Sequence, residues 1–203
     1  MMDSFMRFWK SAMDDPSRPM RISILIRVAL AFLLVFASPT RADTIAGRSA
    51  ELRLEEDRYV LDAEFDLVLN ATLEEAIVRG VPLYFVVEFE LLRPRWYWID
   101  ETVASSTLTY RLSYNALTRQ YRLSTGGAFY QNLQTLDDAQ RSISRVRGRS
   151  VIDKSALVRG AHYEAAVRLR LDTTQLPKPF QISALTSRDW SLQSDWLRWS
   201  FSP

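Results

Sequence analysis

The sequence predicts a mainly β fold, an antiparallel β-sandwich or open barrel with two short α-helices. Apolar residues recur at every second position through several separate segments, the period of a strand with one buried face. Aromatic residues are plentiful, with six Trp, eight Tyr and ten Phe, and these favour a packed β-rich core. Only two segments carry helix start and stop signals. Helices therefore do not alternate with strands as parallel βαβ winding would require.

In chain order, "SAELRL" (49–54) alternates, and Glu55-Glu56-Asp57 reads as the turn of a hairpin. From Tyr59 to Leu69 every odd residue is apolar, which places Asp62, Glu64 and Asp66 on a wet face. "TLEEAIVRG" (72–80) is the first helix, opened by a Thr72-x-x-Glu75 capping box and closed on Gly80. "VPLYFVVEFELL" (81–92) resumes the alternation with Glu88 and Glu90 opposite the apolar face. Arg93-Pro94-Arg95 then breaks the chain, and "WYWIDE" reads as the second limb of a strand pair. In that limb Trp96 and Trp98 share one face while Tyr97 and Ile99 share the other, so both faces are apolar. "STLTYRLSY" (106–114) and "RQYRLST" (119–125) pair through a turn at 115–118. "TLDDAQRSISRVRG" (135–148) is the second helix, acidic at its start and basic at its end as the helix dipole prefers. "HYEAAVRLRLD" (162–172) and "DWLRWSF" (195–201) complete the strands.

Residues 28–37, "VALAFLLVFA", form a ten-residue apolar run behind Arg18, Arg21 and Arg27. With "SPTRA" after it, the segment reads as a signal peptide cleaved between Ala42 and Asp43. Translation from Met20 would give a compact leader, leaving 1–19 as upstream sequence. An uncleaved leader would instead anchor the chain in the membrane. The expected location is the periplasm of a Gram-negative envelope. Residues 43–203 suit one β-rich domain, since no linker, repeat or low-complexity tract divides them.

The formal charge of +2 comes from the N-terminus. Setting aside the six basic and three acidic residues of 1–42 leaves 20 basic and 21 acidic residues. A nearly neutral domain has no global field for nucleic acid. Cysteine is absent and His162 is the single histidine, so thiolate chemistry and a His-rich metal site are excluded. No Gly-x-Ser-x-Gly elbow presents a nucleophile to His162, and Gly126-Gly127 is a turn rather than a phosphate loop. Glu74-Glu75 and Asp137-Asp138 suit helix N-termini without any acid–base role. No cofactor, metal or catalytic residue is expected.

Two binding candidates remain. Arg141, Arg145, Arg147 and Arg149 form a basic segment able to meet an anionic surface or an acidic partner, with Asp137 set to pair Arg141. Trp96, Tyr97 and Trp98, joined by Trp190, Trp196 and Trp199, form a candidate aromatic cluster, either core or the lining of an apolar groove.

The stretches "RGVPLYFVVEFELLRPRWYWIDE" (79–101), "LTYRLSYNALTRQYRLS" (108–124), "LPKPFQISALTSRDWSLQSDW" (176–196) and the final "RWSFSP" resemble the DUF4390 family of proteobacterial exported proteins. That resemblance spans about 48 to 203 and implies an exported β-rich domain of unknown function. It brings no catalytic or ligand residue, and suggests an accessory to a two-component envelope sensor kinase. The expected function is thus a non-enzymatic, protein-binding envelope module. The alternative is a carrier or sensor of a lipid-like ligand held in an aromatic-lined groove.

Overall fold

The computed structural model describes residues 45–97, 99–126 and 129–203. The leader, Met20 and the Ala42–Asp43 junction lie outside the described residues. Nine strands follow in chain order among those described: β1 (Ala46–Glu55), β2 (Arg58–Asp66), β3 (Leu83–Arg93), β4 (Glu101–Asn115), β5 (Gln120–Thr125), β6 (Tyr130–Leu133), β7 (Arg145–Asp153), β8 (Tyr163–Leu171) and β9 (Leu197–Phe201). They make two antiparallel sheets, ordered β1-β2-β7 and β6-β5-β4-β3-β8-β9. The mainly β expectation holds, in its open sandwich form.

The core follows from the period-two pattern. The odd residues of β3, from Leu83 through Phe85, Val87 and Phe89 to Leu91, are fully buried, as are Ala165, Val167 and Leu169 of β8. Across from them β2 contributes Tyr59, Leu61, Ala63 and Phe65 to the same cluster. A void of only about 10 Å³ lies between the sheets, lined by Leu61 and Val146 on one side and Val87, Phe89 and Leu108 on the other. At one end the ring of Tyr59 meets Phe201 of β9 edge-on, 5.1 Å between centroids. Each fully buried Val, Leu or Phe among them stabilises the fold by roughly 1.5–3 kcal/mol.

Helices α1 (Ala71–Val78) and α2 (Leu136–Ser144) add Leu73, Ile77, Ala139 and Ile143 to the core. The α1 cap is Asn70 rather than Thr72: its side chain accepts from Leu73 N at 3.0 Å. Gly80, at φ +89°, ends that helix in the left-handed turn expected of it. Thr135 caps α2 as the sequence implies, accepting from Asp138 N at 3.1 Å.

Three expectations need correction. Helix α2 stops at Ser144, and 145–148 belong to β7, because alternating Arg-Val-Arg lets Arg145 and Val146 pair with Glu64 and Ala63. A third helix, α3 (Lys178–Thr186), follows Pro177. Its low amphipathicity and the exposure of Ile182 and Leu185 hid it from a periodicity reading. Finally "WYWIDE" is not a strand limb. Pro94, which has no N–H to donate, follows the last residue of β3, and β4 starts only at Glu101, so 94–97, 99 and 100 lie in the loop of a hairpin.

The wet face expected for β2 is only partly wet. Asp62 is 4% exposed, on the sheet face opposite the core. Its carboxylate takes the Arg53 guanidinium, Nε to Oδ2 at 2.7 Å, and accepts the Gly148 N–H at 2.7 Å. The second bond depends on a bulge. β7 register jumps from Ala63↔Val146 to Leu61↔Arg149, leaving Arg147 and Gly148 opposite Asp62. Gly148 sits at φ +58°, a conformation costly for other residues. Asp62→Ala strands that N–H and should destabilise the fold by about 1–3 kcal/mol in urea unfolding. Asp62→Asn keeps an acceptor oxygen and should cost less; equal losses in the two variants would show that the bulge bond is not what Asp62 supplies.

A second charged knot lies on the outer face of the larger sheet. Glu88 of β3 accepts Arg168 Nε at 2.5 Å and Arg170 Nε at 2.9 Å. Burial alone would raise the Glu88 pKa, but the hydrogen bonds from Arg170 and Arg168 together outweigh it and leave the pKa lowered. Burial and hydrogen bonding oppose each other in the same way at Asp172, where bonds from Gln175 and Thr174 prevail and the pKa is again lowered. A depressed folded pKa contributes stability that is complete above the unfolded value and is lost as pH falls through the folded one. The melting temperature should therefore fall on acidification below about pH 4.5, the ordinary Glu value. Glu88→Gln should flatten this acid limb; an unchanged limb would remove Glu88 as its cause.

Candidate functional site

The β3–β4 hairpin carries an exposed aromatic pair at one end of the larger sheet. Trp96 is 94% exposed, Tyr97 66% and Ile99 80%. Trp96 and Tyr97 meet edge-to-face with centroids 5.2 Å apart, which makes one apolar tip of the two rings. Trp98 lies outside the described residues. Below the tip the hairpin is braced by charge. Arg93 and Arg95 both pair with Glu101, at 3.3 and 2.6 Å. The Asp100 carboxylate accepts the Arg95 backbone N–H at 3.2 Å, which closes the loop.

Arg93 also ties the hairpin to β8. It donates to the Tyr163 hydroxyl at 3.2 Å, and that hydroxyl accepts Val158 N–H at 3.0 Å. Burial alone would raise the Tyr163 hydroxyl pKa; those two hydrogen bonds lower it. The hydrogen bond to Tyr163 correspondingly raises the Arg93 pKa. A firm charged base thus presents a solvent-facing apolar end.

The other tryptophans do not join this tip. Trp190 is buried and packs on Phe180 of α3, centroids 5.7 Å apart. Its neighbour Leu192 accepts from Leu171 at the far end of β8, whereas the hairpin lies beside the β8 start at Tyr163. Trp196 lies beneath the Arg168 guanidinium, 4.4 Å from carbon to ring centre. Trp199 pairs with Ala165 on the core side of β9. The proposed six-residue aromatic cluster is therefore corrected to separate sites. Register puts Trp190 at the other end of the sheet and Trp196 beside mid-strand Arg168, while Trp199, opposite Ala165 and so level with Leu91 near the hairpin, is separated from the tip by facing the core.

The four arginines are likewise divided. Arg141 and Arg145 line a cleft of about 400 Å³ with Arg48, Glu64, Asp66 and Gln140. Each cation there has a carboxylate: Arg48–Asp66 at 2.7 Å, Arg145–Glu64 at 3.4 Å and Arg141–Asp138 at 2.5 Å. Arg141 pairs with Asp138 one turn away rather than with Asp137. Hydrogen bonds from Thr135 and then Arg141 lower the Asp138 pKa. Arg147 stands at the bulge over Asp62. Past the bulge Arg149 faces the inter-sheet side, beside Leu108 and Val151. What the sequence shows as one basic run is thus a charge-matched cleft plus two separate edge residues. Arg48, from β1, is the cleft member that the run did not contain.

His162 is exposed just before β8. Among the described residues no group of three or more His, Asp or Glu could hold a metal ion. No helix among them is long and apolar enough to cross a membrane. The arrangement can dock an apolar partner surface at the tip and exchange ion pairs at the cleft.

No curated protein matches the chain, and no solved structure does. The model of the family described as "Domain of unknown function (DUF4390)" matches residues 42–200, the whole described sandwich to within its last residues, and the chain therefore belongs to the DUF4390 family.

Proposed function

We propose that this chain is an exported, non-enzymatic interaction module of the cell envelope that grips an envelope protein through its β3–β4 hairpin tip. The basic stretch and apolar run of 1–42 support export. The observation that carries the reading is the exposure of Trp96, Tyr97 and Ile99 on a braced hairpin. Large aromatic side chains left in water on a rigid support are the usual anchors of protein interfaces. Because the ion pairs of Arg93 and Arg95 already hold the base, docking would cost little ordering of the loop. A sensor kinase of a two-component pair is the partner class suggested by resemblance to the family.

The lipid-like ligand alternative loses its lining once the aromatics are apart, although the tip itself could enter a lipid interface. A photo-crosslinking residue at position 97, in the full chain expressed in cells, separates the two. The expected result is a discrete adduct with one integral envelope protein, absent when the crosslinker sits at exposed Leu117 instead. Trp96→Ala should then weaken binding of that purified protein by about 30-fold, the loss of one anchor of about 2 kcal/mol. Lipid adducts together with flotation on phosphatidylethanolamine–phosphatidylglycerol vesicles would overturn the reading, as would equal adducts at positions 97 and 117.

A further inference from the structure

From Thr102 to Leu136 the chain contains no Asp or Glu, yet it holds Arg111, Arg119 and Arg122. That interval builds β4, β5 and β6, one half of the larger sheet. Its core-side residues, such as Leu112 and Leu123, are buried. The other face is of one character. The outward positions of β4 from 105 to 113 are Ser or Thr except for Arg111. Beyond them stand Arg122 and Ser124 of β5, then Tyr130 and Asn132 of β6. No aliphatic side chain faces outward on these three strands.

Registers align four of these residues across the sheet. Tyr84 of β3 is opposite Arg111, Arg111 is opposite Ser124, and Ser124 is opposite Tyr130. Three interstrand steps separate the two tyrosines by about 14 Å. Arg122 lies one row away, its guanidinium 4.9 Å from the centre of the Tyr130 ring. The Arg122 Nε is buried and has no hydrogen-bond acceptor among the described residues. Every arginine on the other half of this face, Arg168, Arg170 and Arg198, has a carboxylate. Among the described residues Arg111 and Arg122 have no ion pair.

We infer that this face binds an anionic oligosaccharide, one bearing carboxylate or phosphate groups. The chemistry matches part by part. Two free guanidinium groups supply charge-assisted donors for the anions. Hydroxyl and amide side chains in rows suit a ligand covered in hydroxyls, and tyrosine rings offer flat apolar faces to sugar rings. An acidic polypeptide fits less well, because the face carries no outward aliphatic side chain and, being a sheet face rather than an edge, offers no strand to pair with. A nucleic acid would need a wider positive field than a nearly neutral domain provides. This face is separate from the hairpin tip and stands or falls independently of it.

Calorimetric titration of the full chain at low ionic strength with hexagalacturonate and with a phosphorylated oligomannoside tests the assignment. At least one should bind, while the methyl ester of hexagalacturonate should not. Arg111→Ser and Arg122→Ser should each weaken binding about tenfold, the scale of one charged hydrogen bond. Arg58→Ser removes the same charge on the other sheet and should leave affinity unchanged. Tyr130→Ala, exposed and remote from the core, should also weaken binding, and far-UV circular dichroism checks that each variant is folded. Failure of both anionic glycans to bind would overturn the inference. So would polyglutamate or single-stranded DNA binding as tightly as the glycans, or Arg58→Ser losing as much affinity as Arg111→Ser.

Discussion

The contact between the inner faces of β2 and β3 is the constraint on which the rest of the molecule depends. Leu61 on one sheet and Val87 with Phe89 on the other are removed from water only when the two sheets stack. Neither sheet could bury this face alone. The stacking fixes register in turn, since a slip of one residue would put Glu88 and Glu90 into the core in place of Val87 and Phe89. Both helices that enter the core follow from it. Leu73 and Ile77 of α1, and Ile143 of α2, fill sides that two sheets of unequal size leave open.

With the inner faces committed to packing, difference among the outer faces is what remains for recognition. On the smaller sheet, Asp62 is closed off by Arg53 and the bulged Gly148. On the β3–β8 half of the larger sheet, Glu88 binds two arginines and Trp196 stacks beneath one of them. These groups satisfy one another and have little capacity left for a ligand. Satisfied charges of this sort favour register and specificity more than net stability. The β4–β6 half has cations without anions, and the hairpin tip has apolar rings without a cover. Both differ from the rest of the surface in the same respect: their interactions are incomplete within the chain.

Much of the fold was legible because a half-buried strand writes its period directly into the sequence. Tyr59 to Phe65 and Tyr163 to Leu171 are the clearest cases, apolar at every odd residue and buried there. The misreadings arose where a local signal competed with a distant one. "RVRG" continues an amphipathic helix on its face, yet backbone pairing with β2, some 80 residues earlier, draws it into β7. "WYWI" has strand propensity throughout, but Pro94 before it and the Asp100 carboxylate behind it close a loop. Propensity of aromatic residues reflects packing on a pleated surface, and Trp96, Tyr97 and Ile99 are exposed rather than packed on one.

The sites were less legible than the fold, for a reason that can be stated physically. Runs such as Arg141 to Arg149 record adjacency in sequence, whereas a site is adjacency in space. The change from helix to strand at Arg145, followed by a bulge at Gly148, sends Arg145, Arg147 and Arg149 to three different surroundings. A better signal was negative. The absence of any carboxylate from Thr102 to Leu136 leaves Arg122 of β5 without a partner on the stretches of β4 and β6 that flank it, while Arg111 lacks one because its β3 neighbour is Tyr84 rather than Glu88 or Glu90. For Arg122 such an absence survives errors of register, because the stretches of β4 and β6 beside β5 belong to the same carboxylate-free interval and cannot supply the charge it lacks.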